Sequence, residues 1–140
     1  MQRNLRQALE VIGDRWALQL VAGLLEGPKR FGELADSLPG IAPNILTARL
    51  RQLERHGVLA ATPYSQRPVR LAYALTDTGR ELGDAIALLA AWGGRRAGGP
   101  ADDERGPVHG TCGTPLEARL YCPTCERAAD ESDAEPVRWV

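Results

Sequence analysis

The chain has 140 residues, a formal net charge of −1 and 25% charged residues, a balance that suits a globular protein and excludes a disordered polyelectrolyte. The apolar run WALQLVAGLL, starting at Trp16, is too short to span a bilayer, and no secretory signal precedes it, so a cytoplasmic protein is expected. Three cysteines, all between Cys112 and Cys125, are an odd and clustered set, which excludes a disulfide framework and points to a metal site or redox thiols.

Charge is unevenly spread. Residues 1–97 carry +4 and residues 98–140 carry −5. Five arginines (Arg49, Arg51, Arg55, Arg67, Arg70) fall within 22 positions that hold a single acid, Glu54. Such a local basic zone matters more for a polyanionic partner than the total does.

In chain order, Leu5–Ile12 reads as a short helix with Leu5, Leu9 and Ile12 on one stripe, ended by Gly13. Asp14 is placed to cap a second helix, RWALQLVAGLLE, which is apolar on most sides and therefore central to the core. Gly27-Pro28 stops it, and RFGELADSL forms a third helix. After the Pro39-Gly40 turn, PNILTARLRQLERHG forms a fourth, with Pro43 at its first position and Gly57 at its end. VLAATPY and VRLAYAL read as two strands joined by SQRP, a hairpin. Thr76 or Asp77 caps one last long helix, TGRELGDAIALLAAWGGRR. The expected class is mainly α with a small β-hairpin wing. The domains are a winged helix-turn-helix over 1–97, a linker over 98–107, a zinc-knuckle-like segment over 108–127 and an acidic flexible tail over 128–140.

The fourth helix carries the functional reading. At 100° per residue, Leu46, Leu50 and Leu53 face the core. The opposite face presents Asn44, Thr47, Ala48, Arg51 and Arg55. A helix fits the major groove of double-stranded DNA, where Arg pairs with guanine, Asn pairs with adenine, and small residues let the backbone approach. Arg67 and Arg70, at the hairpin tip, are placed for phosphates or the minor groove. Arg49, at the edge of the core face, either forms a salt bridge or touches phosphate. Tyr64, near the wing, has either a DNA or a structural role. Trp16 and Trp92 fit core and dimer-interface packing better than a ligand pocket.

The stretches IGDRW, GPKRFGEL, LPGI, LTARLRQLE and YALTDTG, in that order across about residues 5–93, resemble the HxlR family of bacterial winged helix-turn-helix transcription regulators. The resemblance implies a homodimer, joined through the terminal helices, on a pseudo-palindromic operator. Two departures stand out. Family members often carry a cysteine near the N-terminus, where this chain has Arg3 and Asn4. They also often have Ser before the recognition-helix proline, where this chain has Ala42, forfeiting about 0.5–2 kcal/mol of capping.

His109-x2-Cys112 and Cys122-x2-Cys125 are two ligand-type turns, able to hold zinc in a closed structural site with no open position for a substrate. PLEARLY, between them, has the period of a small hairpin. CPTC also matches a redox dithiol, although no βαβ pattern surrounds it. The alternatives to an operator-binding regulator are a winged-helix module for protein docking and a redox- or metal-responsive regulator acting through the cysteines. No Ser/His/Asp set or phosphate loop is present, and no enzyme is expected. An effector ligand, the operator sequence, and the choice between repression and activation are not written in the sequence.

Overall fold

The first helix, α1 (Gln2–Ile12), buries none of its residues, and only Val11 and Ile12, at its C-terminal end, rest against the core. This is the computed structural model of the chain, and it describes residues 1–97, 108–114, 116 and 119–129. Helix α2 (Ala17–Leu25) lies at the centre of the core, burying Ala17, Leu20, Val21 and Leu24. The helix starts two residues later than expected, with Trp16 as an N-cap that makes no side-chain bond; one Asp14 carboxylate oxygen still accepts from the backbone N–H groups of Trp16 (2.9 Å) and Ala17 (3.2 Å). The other oxygen lies 3.3 Å from the Arg49 guanidinium, and Arg49 in turn donates to the Gln52 side chain (2.6 Å). Gln52 donates to the carbonyls of Glu10 and Val11, so one polar chain ties the end of α1, the start of α2 and the fourth helix together. Asp14→Ala removes the two backbone hydrogen bonds at the entry to α2 and leaves Arg49 without its carboxylate partner. It is expected to cost about 1–2 kcal/mol and to lower the melting temperature by roughly 4–16 °C in thermal denaturation followed by circular dichroism. An unchanged melting temperature would show that this network contributes nothing.

Strand β1 (Lys29–Arg30) precedes helix α3 (Phe31–Ser37), which buries Leu34. Helix α4 (Pro43–Arg55) buries Leu46, Leu50 and Leu53, the three leucines that the helical spacing selects. Its N-cap, Ala42, makes no side-chain capping bond, and Pro43 occupies the first turn. The helix ends in a Schellman arrangement: Gly57, at φ +68°, donates to the Glu54 carbonyl (2.9 Å), and Val58 donates to that of Leu53 (2.9 Å).

Strands β2 (Leu59–Gln66) and β3 (Val69–Leu75) form the wing, with sheet order β1-β3-β2 and both pairings antiparallel. The expected SQRP tip is tighter in the structure: Ser65 and Gln66 remain paired, and Arg67-Pro68 alone turns the chain. Thr76 caps α5 (Asp77–Arg80) by accepting from the Gly79 N–H (3.1 Å), while its hydroxyl donates to the Gly57 carbonyl (2.5 Å). Gly79 is required there, because a Cβ would stand 2.0 Å from the Val58 carbonyl oxygen. The TDTG stretch therefore fastens the end of α4 to the start of the last helical segment. That segment is two helices rather than one, with α6 (Leu82–Ala97) starting anew after Glu81.

The chain divides into two compact units, with the boundary at 86/87 within α6. Leu82 and Ile86 pack on the core of the first unit. In the second unit Leu88, Leu89 and Trp92 are exposed, and a small hairpin pairs β4 (Tyr121–Cys122) with β5 (Arg127–Ala128). The hairpin expected over PLEARLY falls partly on residues 115, 117 and 118, outside the described residues. Around the second cysteine pair two strands do form, with the CPTC turn between them: Tyr121 pairs with Ala128 and Cys122 with Arg127. The 98–107 linker and the tail from 130 onward also lie outside the described residues.

Candidate nucleic-acid interface

Asn44, Ala48, Arg51 and Arg55 are exposed along one face of α4, and Thr47, on the same face, is half-buried. The Thr47 hydroxyl donates to the Pro43 carbonyl (2.9 Å), so toward solvent it offers its methyl group and an acceptor lone pair. Arg51 and Arg55 enter no ion pair among the described residues, and neither do Arg67 and Arg70 on the wing. Arg67 and Arg70 are exposed. Four guanidinium groups without an ion-pair partner among the described residues thus lie on one helix face and one hairpin tip, the pattern that attracts a polyanion.

Arg49 does not belong to this set. It is half-buried, and its guanidinium lies 3.3 Å from the Asp14 carboxylate, so the salt bridge open to it is formed. Its polarity is spent on orienting α4 against the first two helices.

Two features of the region are not evident in the sequence. Strand β1 is two residues long, too short to show any periodicity. It pairs Lys29 with Tyr73 and Arg30 with Ala72. The β2–β3 register shifts between Pro63 and Ser65, making Tyr64 a bulge residue, and the Arg30 guanidinium stacks 4.4 Å from the Tyr64 ring centroid.

In the second unit each cysteine pair is locally assembled. His109 Nδ1 lies 3.3 Å from Cys112 Sγ, and Thr114 Oγ1 lies 3.1 Å from the same sulfur. Contacts with the Thr114 side chain, then with its backbone, then with the His109 ring, hold the Cys112 thiol below its ordinary value. Cys122 is lowered chiefly by the Cys125 backbone N–H, then by the Cys125 side chain and the Thr124 N–H. None of the three cysteines forms a disulfide. Among the described residues no three His, Cys, Asp or Glu side chains gather closely enough to hold a metal ion, so the structure brings together the members of each pair and not the two pairs.

A three-helix core carrying a helix-turn-helix and a short antiparallel wing defines the winged helix-turn-helix class of regulators. The profile of the HxlR-like helix-turn-helix family matches residues 11–99, and the chain belongs to that family. An HTH-type transcriptional regulator of Mycobacterium bovis, Mb3122, is 40% identical over 119 residues, covering 85% of this chain and 75% of the relative. Among solved structures, the transcription factor PA1607 superposes with a TM-score of 0.73 at 34% identity, covering 93% of this chain and 90% of its own. The redox regulator HypR in its reduced form gives 0.64 at 33% identity, covering 68% and 94%. The protein is a helix-turn-helix transcriptional regulator and not an enzyme. No helix among the described residues is long and apolar enough to cross a membrane.

Proposed function

We propose that this regulator binds operator DNA as a homodimer, laying α4 in the major groove and the wing on the flanking backbone. The observation that carries this reading is the outward-facing row Asn44, Thr47, Ala48, Arg51 and Arg55, exposed except for the half-buried Thr47 and backed by a fully buried leucine face. The N-terminal half of the row has the small and amide side chains that reach base edges, and its C-terminal half is cationic. The apolar side chains left exposed on α1 (Leu5, Leu9) and α6 (Leu88, Leu89, Trp92) support pairing of two copies across a two-fold axis. Fluorescence anisotropy of labelled duplex DNA at several salt concentrations tests the reading. Arg67→Ala and Arg70→Ala are each expected to weaken binding to all sequences alike and to shallow the log–log salt dependence by about one. Weak, salt-independent binding by the wild type would favour a protein-docking module instead.

For the second unit the reading is a structural zinc held by His109, Cys112, Cys122 and Cys125. Support comes from the donor set and from surroundings that lower both the Cys112 and Cys122 thiols, which favours thiolate ligands. Joining the two pairs on one ion is then the step that orders the segment. Elemental analysis of protein purified without chelator is expected to give one zinc per chain. Cys122→Ser with Cys125→Ser is expected to lose the metal while lowering DNA affinity less than about tenfold. Zinc well below one equivalent would refute the site. Full zinc, with DNA binding abolished on its removal, would make the cluster a sensor.

A further inference from the structure

A cleft of about 610 Å³ opens between the start of α3 and the wing, and its wall includes Arg30, Glu33, Asp36, Tyr64 and Arg70. Two arginines face two acids there, so the cleft is not an anion pocket. Glu33 already accepts from the Arg30 backbone N–H (2.6 Å). The charge of Arg30 is directed at a ring instead: its guanidinium lies over Tyr64.

That contact spans the whole sheet. Arg30 is on β1 and Tyr64 on β2, the two outer strands, with β3 between them. The register places Ala72 between Arg30 and Thr62, and a methyl side chain in the middle of that row leaves room for the outer strands to meet above it. Tyr64 departs from the ladder at the bulge, which is the device that re-aims a strand side chain. The β2–β3 hairpin extends well past the two-residue β1, so its distal half has no third strand to hold it. A two-stranded ribbon is marginal by itself. A cation–π contact at the bulge anchors it where backbone pairing to β1 has ended.

We propose that Arg30 is a positioning residue for DNA binding: stacked on Tyr64, it clasps the wing to the helix-turn-helix so that Arg67 and Arg70 meet the DNA backbone in register with α4. This rests on the DNA-binding reading above. The test compares R30M, Y64L, the double variant and the conservative R30K and Y64F, each measured for salt-dependent DNA binding and for hydrogen exchange of the free protein. R30M and Y64L are each expected to shallow the log–log salt dependence by about one. Each should also speed exchange of wing amides between Ala61 and Leu71 without altering α2. The double variant should be no worse than either single one, and R30K and Y64F should behave as wild type. A shallower dependence in R30M but not in Y64L would mean that Arg30 touches phosphate itself and would overturn the clasp. So would wild-type salt dependence in both variants. Wild-type protein that shows no salt-dependent binding would instead overturn the DNA-binding reading. Exchange rates would then decide the clasp by themselves: faster wing exchange in both variants supports it, and unchanged exchange overturns it.

Discussion

Replacing Leu89 and Trp92 together with aspartate is expected to give a monomer and to weaken operator binding by about a hundredfold or more. Both side chains, in the middle and the C-terminal half of α6, are more than half exposed, at 52% and 57%. The same helix packs Leu82 and Ile86 on the core, while Leu88, Leu89 and Trp92 further along it are exposed. Helix α1 repeats the pattern, with Leu5 and Leu9 exposed while Val11 and Ile12 rest on the core. Burying these strips against a second copy removes apolar surface from water and brings two recognition helices onto one duplex. Two linked sites bind about 10² to 10⁴ times more tightly than one, and that factor is what the aspartates remove. Light scattering at micromolar concentration, with anisotropy on the same samples, checks it. A wild-type monomer that binds one per operator would contradict the dimer outright.

Arg51→Ala is expected to cost about 1–3 kcal/mol at the specific site and to relax preference at one base-pair position in each half-site. Arg51 is exposed in the middle of the outward face of α4 and has no ion-pair partner among the described residues. Arg49, two residues earlier, makes the contrast. It is held by Asp14 and Gln52, so Arg49→Ala should lower thermal stability and reduce binding to every sequence in proportion. Competition titrations against single-base variants of the operator separate the two effects. Loss of sequence preference in Arg49→Ala, or its retention in Arg51→Ala, would reverse these assignments.

The features legible in the sequence are those with a strong local period or a strong local stop. The leucines of α4 repeat at helical spacing, and all three are buried. Gly57 ends that helix because its φ is positive, and Thr76 caps the next because its hydroxyl can both accept from Gly79 and donate to Gly57. What could not be read depends on distant partners. Strand β1 exists only because Lys29 and Arg30 find Tyr73 and Ala72 more than forty residues away. The bulge at Tyr64 has no signature beyond Pro63, and the salt bridge of Arg49 is made with Asp14, outside its own helix. In the second unit the pairing within each Cys/His turn follows from spacing alone. The β4–β5 strands are two residues each, below the length at which alternation can be recognised.

Whether α4 reads base sequence in pairs of half-sites is tested most directly by affinity selection of purified wild-type protein from a randomised duplex library. The expected result is enrichment of a two-fold-related pair of short half-sites centred about one helical turn, roughly 10 base pairs, apart. An Arg51→Ala selection run in parallel should lose information at one symmetric position and leave the spacing unchanged. Enrichment of a single unpaired site, or of no sequence at all despite salt-dependent binding, would contradict paired reading by α4.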